Sequence, residues 1–436
     1  MRRLFPFLLI LGTVSPAFAE GPLFLKGPYV QRVGPTTAEI RVEVAPPAAI
    51  SVELSGADGG RTSLRSPPKS FHTVALTGLS PDTAVDYVVR AGASFRSASF
   101  TTAPKEESRV PFRFLIYGDN RSDHEAHAAV VGAMRDQPGS FLINTGDFVL
   151  DGGDESQWQR FFDIETPLLS KRPLFSCVGN HELTDQSGAA YIRYFAPTAA
   201  LTDSKPELSG SFRWGMARFF LVNAMASYAG GSDRDWLDKE LSTSDNEAGI
   251  LWRVVVMHHG LWSSGPHGGN GRMLTAGVLD VLKKHHVDLM LAGHDHIYER
   301  GQNDGIGYLI SGGGGAPVYE MKNLAPGSKK RESVRHFVQA EISPEKMTMT
   351  AIRATGSTIE TCAWVKNKGW DCDREEPKQN VSPAKTPDVT VEKKSGCGCE
   401  TPGVAPVSPR FASILAIFAL GGAARFRRRV RRWNFS

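Results

Sequence analysis

From residue 112 to residue 353, short apolar runs alternate with amphipathic stretches of helical period. Phe112–Tyr117 is an apolar strand, and helix Glu125–Arg135 follows it. Strand Ser140–Thr145 leads to the amphipathic helix Glu155–Leu169, then to strands Leu174–Val178 and Phe219–Ala224. The polar helix Arg234–Leu241 precedes strand Trp252–Met257, and helix Thr275–His286 precedes the apolar run Val287–Leu291. Tyr308–Ile310, Phe337–Ile342 and Met347–Arg353 read as closing strands. This alternation predicts a layered α/β domain over about Val110–Ala354, a β-sandwich core flanked by helices.

The period is different upstream. Ala38–Val44, Ile50–Leu54, His72–Leu76, Ala84–Arg90 and Ser94–Thr101 are alternating or β-branched. Turn-forming stretches separate them: Ala57–Gly60, Ser66-Pro67-Pro68 and Ser80-Pro81-Asp82. Such spacing predicts an N-terminal β-sandwich of roughly seven strands over residues 22–103. His72, alone at a strand start, reads as structural. Pro104–Pro111 reads as a linker to the α/β domain.

A length of 436 residues suits two such domains. The net charge of +4 misleads, because eight arginines lie in the two end segments and the remainder carries −4. No basic field on the body of the protein argues for nucleic acid. Met1–Ala19 has two arginines, an apolar run Leu4–Val14 and Ala17-Phe18-Ala19 before Glu20, the three-part pattern of a secretory signal. Export permits disulfides, and of the five cysteines Cys362 and Cys372 are the best intramolecular candidates. Cys177, within an apolar strand, reads as buried and inert.

The ends of the strands carry the chemistry. Five separate apolar runs each finish at a residue able to bind a metal: Asp119, Asp147, Asn180, His258 and the pair His294/His296. In open α/β sheets, ligands gather at the carboxyl ends of strands. Carboxylate, amide oxygen and imidazole together suit Zn, Mn or Fe rather than Ca. Gly260–Met273, rich in glycine, reads as a lid bearing Trp262 and His267 or as an ordinary surface loop. The four glycines Gly312–Gly315 read as a close-packed turn rather than a phosphate cradle.

These motifs, Gly118-Asp119, Gly146-Asp147, Gly179-Asn180-His181-Glu182, Val255-x-x-His258 and Gly293-His294-Asp295-His296, resemble those of the metallophosphoesterases, the calcineurin-like superfamily, in order and spacing. With the N-terminal sandwich, and its fibronectin type III-like stretch His72–Thr102, the layout is similar to the purple acid phosphatases. The resemblance implies a phosphoesterase of the acid phosphatase or phosphodiesterase kind. It implies two divalent ions, with Asp147 bridging them, Asp119 and His296 on the first, and Asn180, His258 and His294 on the second. It implies attack of a metal-bound hydroxide on the phosphorus of a mono- or diester, with His181 assisting the leaving group. Arg121, His259 and His267 become candidates for substrate contact.

Two positions depart from the pattern. Leu150 stands where purple acid phosphatases have a tyrosine, and Arg121 stands where many relatives have a histidine. The first metal thus lacks both usual fourth ligands. His127 on the first helix is one candidate to supply it, against a histidine of the helix surface. Arg121 reads equally as a phosphate contact or as one half of a structural ion pair. The competing reading of the whole chain is a catalytically weak or inactive surface binding protein that uses its β-sandwich.

Beyond residue 375 the composition turns to Pro, Lys, Glu and Thr, a disordered linker through residue 396. Residues 397–432 contain Cys397-Gly398-Cys399, the apolar run Phe411–Ala424 and an arginine cluster. The run would span about 21 Å as a helix, short of the ~30 Å bilayer core. The three-part layout resembles myxobacterial-type C-terminal sorting signals, with a weak membrane anchor as the alternative. Cell-surface or outer-membrane placement, or secretion, is the expectation.

Overall fold

A computed structural model of the protein describes residues 22–55, 61–185, 187–195, 208–226 and 231–372. The signal-like segment and everything after Cys372 lie outside the described residues.

Five strands form the N-terminal sheet: β1 (Leu23–Gln31), β2 (Thr37–Ser55), β3 (Arg61–Thr77), β4 (Ala84–Ala91) and β5 (Ser94–Thr101). Their order is β1-β2-β4-β5, and β3 also pairs with β2. The sequence reading of about seven short strands is corrected here. Ala38–Val44 and Ile50–Leu54 are two halves of one strand, and Pro67-Pro68, read as part of a turn, lies within β3. The first half of β2 pairs with β1 and the second half with β4, with register shifts between Glu43 and Ile50. Pro46 and Pro47 fall at that change of partner. A proline cannot donate to a ladder, so it is tolerated where pairing is interrupted. In β4 burial alternates along the whole strand and puts Val85, Tyr87, Val89 and Ala91 inside. His72 is buried, its Nδ1 2.9 Å from Ser66 Oγ and its Nε2 donating to the Lys69 carbonyl.

The remaining elements begin with β6 (Phe112–Tyr117), α1 (His124–Arg135), β7 (Leu142–Asn144), α2 (Glu155–Leu169), β8 (Leu174–Ser176) and α3 (Ala189–Phe195). Next come β9 (Gly210–Trp214), β10 (Ala217–Val222), α4 (Ser232–Asp245), β11 (Trp252–Met257), α5 (Gly271–Thr275), α6 (Val278–Lys284) and β12 (Leu289–Ala292). The last are β13 (Tyr298–Asn303), β14 (Ile306–Ser311), β15 (Ser328–Glu332), β16 (His336–Ile342), β17 (Lys346–Arg353), β18 (Thr358–Val365) and β19 (Gly369–Cys372). They make two seven-stranded sheets, β15-β13-β14-β12-β11-β10-β9 and β19-β18-β17-β16-β6-β7-β8.

Strands buried on both faces explain the continuous apolar runs. Alternate residues of each sheet, among them Phe114, Phe175, Phe219, Val254 and Leu289, meet in one core with the N-terminal strands. The opposite face of the first sheet packs on α4, α5 and α6 through Val255, Met290, Trp236 and Leu282. The opposite face of the second packs on α1, α2 and α3 through Leu115, Leu142, Val130, Phe162 and Tyr191. Side-chain caps start α1 and α2, where Asp123 accepts from Ala126 N–H and Asp154 from Ser156 N–H.

Two of the boundaries that differ from the sequence reading change the layout. The predicted helix Thr275–His286 begins only at Val278, as α6, because Gly277 takes a left-handed φ of +77° and separates it from α5, which ends at Thr275. The α/β region does not stop at Ala354: β18 and β19 extend its sheet to Cys372, where Cys362 and Cys372 form a disulfide across the β18–β19 pair.

Candidate metal centre

Strands β6, β7 and β8 run parallel in one sheet, and β10, β11 and β12 run parallel in the other. Their carboxyl ends meet, and the residues that follow them form one cluster. The loops approach closely enough to require glycine: a side chain at Gly179 would overlap Asp147, and one at Gly293 would overlap the Asp119 carboxylate. Asp119, Asp147 and His294 themselves hold left-handed φ angles of +59°, +59° and +68°. Non-glycine residues adopt that region at a cost, and such strain concentrates at functional sites.

Asp147, Asn180, His258 and His294 converge. His258 Nε2 lies 3.2 Å from Asn180 Oδ1, 3.3 Å from Asp147 Oδ1 and 3.2 Å from His294 Nδ1. A tetrahedral ion with bonds of ~2.0–2.1 Å separates its donors by about 3.3–3.4 Å, so these spacings fit one divalent ion. His258 Nδ1 donates to the Thr145 carbonyl at 2.7 Å, which leaves Nε2 for a ligand. His296 Nδ1 likewise donates to the Pro317 carbonyl at 2.6 Å, and its Nε2 faces Asp119 Oδ1 at 3.5 Å.

The cluster is buried and its charges are displaced. Burial works to raise the Asp147 carboxyl, but the charge and hydrogen bond of His258, with His181, hold it well below the usual range. Burial, and after it the Asp147 charge, hold Asp119 well above that range, against the pull of His258. Burial acts to lower His258, yet Asp147 and Asp119 raise it to about 9. His294 is lowered to about 2 by burial and the neighbouring imidazoles, and His296 to about 4, chiefly by burial. The last two imidazoles are therefore neutral, with lone pairs available, while the Asp147 carboxylate draws positive charge into the site.

The β6–β13 stretch, residues 112–298, matches the family model described as calcineurin-like phosphoesterase. This chain carries a calcineurin-like phosphoesterase domain. Purple acid phosphatases are among the proteins it resembles. Purple acid phosphatase 23 of Arabidopsis thaliana is 28% identical over 266 residues, covering 53% of this chain and 57% of its own. An uncharacterised protein of Mycobacterium tuberculosis (strain H37Rv) is 28% identical over 267 residues, covering 52% of this chain and 49% of its own. The chain spans about half the length of these curated relatives. Among solved structures, purple acid phosphatase PPD1 from yellow lupin superposes with a TM-score of 0.66 at 17% identity, covering 80% of this chain and 75% of its own. PhoD superposes with a TM-score of 0.64 at 12% identity, covering 84% and 95%. These two show the fold.

Around the phosphoesterase domain's centre, the remaining sequence candidates divide. His181 lies at the rim, 21% exposed, with Nδ1 donating to the Leu150 carbonyl at 2.7 Å and Nε2 3.8 Å from Asp147 Oδ2. The rings of His259 and His267 each lie 4.4 Å from that of His294. His259 Nε2 donates to the Gly268 carbonyl, and His267 Nδ1 is 2.9 Å from Asp295 Oδ1. Arg121 Nε donates to Asp147 Oδ2 at 3.2 Å, so the ion-pair reading of this residue has a definite partner.

Other sequence readings are corrected. His127 is neither a ligand nor a surface residue. It is buried against Phe161, with Nε2 2.7 Å from the buried Glu165 carboxylate. Trp262, read as borne on a lid or a surface loop, is buried beside Tyr308, ring centroids 5.5 Å apart. The start of its loop is fastened by Ser264, whose N–H and hydroxyl both donate to the buried Glu299. The four-glycine turn is close-packed: Gly314 N–H donates to the Gly118 carbonyl, and a side chain at Gly312 would overlap the Asp295 backbone.

Two residues were missed. Glu182 is buried and accepts from the N–H groups of Asp147 (2.9 Å), Phe148 (2.8 Å), Val149 (3.4 Å) and Gly179 (2.9 Å). Burial, then repulsion from Asp147, push its carboxyl up to about 7. It ties the loop after β7 to the loop after β8. Its sequence signal was present, an acid two residues after Asn180, but no role follows from spacing alone. Tyr319 stacks on His296, ring centroids 4.0 Å apart at 16°. No pattern around Tyr319 marks it.

Proposed function

We propose that the protein is an exported, metal-dependent phosphoesterase that hydrolyses phosphate mono- or diesters. The observation that carries this reading is the convergence of Asp147, Asn180, His258 and His294 at the joined ends of two sheets, with donor spacings that suit a divalent ion. Zn, Mn and Fe suit that donor set. A divalent ion held there would supply charge neutralisation to an anionic ester and bring the pKa of water toward about 7. The chain's own groups do the rest. Thr145 and Pro317 fix the ring orientations of His258 and His296. His181, held by the Leu150 carbonyl with its Nε2 3.8 Å from Asp147 Oδ2, donates a proton to the departing oxygen. His267 and His259 form the wall beside His294 and bind the phosphate oxygens.

Incubation with a chelator followed by dialysis is expected to abolish hydrolysis of a generic aryl phosphate, and added Zn²⁺, Mn²⁺ or Fe²⁺ to restore it. Absence of turnover with every ion, in protein that remains folded, would leave the surface-binding alternative standing.

Export and surface attachment are part of the same proposal, motivated by the signal-like segment Met1–Ala19 and the Cys–apolar–Arg layout of residues 397–432. Intact-mass measurement of the protein recovered from its host should show loss of the first 19 residues. A mature protein that still begins at Met1 contradicts export by this route.

A further inference from the structure

We infer that the Arg121 guanidinium takes the place of the first cation, so that the site holds one divalent ion. This rests on the metal-dependent reading above and narrows it.

The first position has three protein donors in prospect: Asp119, His296 and the far oxygen of Asp147. Arg121 engages two of them. Its Nε donates to Asp147 Oδ2 at 3.2 Å, and its Nη2 lies 3.4 Å from His296 Nε2. Because His296 Nδ1 gives its proton to Pro317, Nε2 is the acceptor in that contact. The two oxygens of Asp147 are thus divided: Oδ1 faces His258 at 3.3 Å, and Oδ2 faces the guanidinium. A carboxylate placed to bridge two cations instead joins one donor set to an arginine.

The surroundings hold the guanidinium in position. Nη1 donates to Ser122 Oγ at 3.3 Å, and Nη2 lies 3.5 Å from the Tyr319 hydroxyl. Tyr319 in turn lies flat against His296. The third donor, Asp119, is taken up by the backbone, both of its oxygens accepting from His294 N–H at 3.0 and 3.1 Å. Among the described residues, neither position from which a fourth ligand was expected supplies one. Leu150 is an apolar side chain, 45% exposed, and His127 is bound to Glu165. A guanidinium keeps its charge at any accessible pH, so an ion seeking the same lone pairs meets a fixed like charge in a partly desolvated place. The first motif therefore replaces a ligand with a cation. The permanent charge does at Asp147 and His296 what a second metal would do, and it needs no metal supply.

The test is a count of ions. Wild-type protein is saturated with Zn²⁺ or with Mn²⁺, dialysed, and its metal content per chain measured by mass spectrometry. One equivalent is expected, and Mn²⁺-loaded protein should give the resonance signal of an isolated ion. Arg121→His supplies the missing imidazole and removes the charge, and it is expected to raise the count to two, with a spin-coupled Mn²⁺ signal. Arg121→Ala, which only removes the charge, guards against misfolding of the histidine variant and should admit a second, more weakly held ion. Asp119→Asn in the otherwise wild-type chain should leave the count at one. Two equivalents in the wild type, one equivalent in both Arg121 variants, or a fall in the Asp119→Asn count would each overturn the inference. No bound ion in any protein would instead overturn the metal-dependent reading on which it rests.

Discussion

Asp147→Ala is expected to remove bound metal and to lower turnover of an aryl phosphate by at least 10³-fold, and His294→Ala to do the same. The estimate follows from the several kcal/mol of charge stabilisation that a metal supplies to phosphoryl transfer, at about 1.4 kcal/mol per tenfold in rate. Asp147 has the larger effect because it serves three neighbours. Its Oδ1 lies 3.3 Å from His258 Nε2 and accepts from His181 N–H at 3.1 Å, and its Oδ2 pairs with Arg121. Without it, Arg121 and His258 are positive or polar groups left facing a void. His294 is the narrower test, since its ring is a donor and a wall but ties no other loop. Metal content and turnover should be measured on the same samples, with circular dichroism as the check on folding. Normal turnover in either variant would mean that this cluster is not where the chemistry happens.

Glu182→Ala is expected to weaken metal binding by roughly 10–100-fold, the usual effect of losing a group that orients ligands. It should also lower unfolding free energy by roughly 2–4 kcal/mol, because buried backbone N–H groups lose their acceptor. Four N–H groups from two loops converge on this one carboxylate, and two of them belong to Asp147 and to Gly179, the neighbour of Asn180. Glu182→Gln keeps the shape and one acceptor oxygen, so it should fall between the two. Urea midpoints read the stability term and metal titration reads the affinity. Loss of stability with unchanged affinity would show that Glu182 is only structural.

Much of the centre was readable from the chain because each donor sits directly after an apolar strand. Continuous apolar runs and a period of 3.6 located Phe112–Tyr117, Glu155–Leu169 and Trp252–Met257 to the residue. The polar residues just beyond such strands could then be collected as one set. What was not readable depended on contacts between distant segments. Edge strands such as Ser328–Glu332 are polar and half exposed, so they carry no apolar signature. The sequence reading broke β2 between Val44 and Ile50 and began the next strand only at His72, after the turn read at Ser66-Pro67-Pro68, where local turn chemistry gives way to pairing across the sheet. Gly277 was invisible inside an otherwise helical pattern. Trp262 and His127 were misplaced because glycine-rich context and helix position suggested exposure, while burial against Tyr308 and Phe161 decided otherwise. For Arg121 the sequence offered two partners of equal merit, a phosphate and a carboxylate, and only distance separates them.

The donors come from two sheets, Asp147 and Asn180 following strands of one, His258 and His294 following strands of the other. An ion bound among them is a removable staple between distant parts of the polypeptide. Whatever binds the folded chain and not the unfolded one raises its stability by mass action, by about 2.7 kcal/mol at a hundredfold excess over Kd. Melting temperature thus becomes a gauge of metal occupancy that needs no substrate.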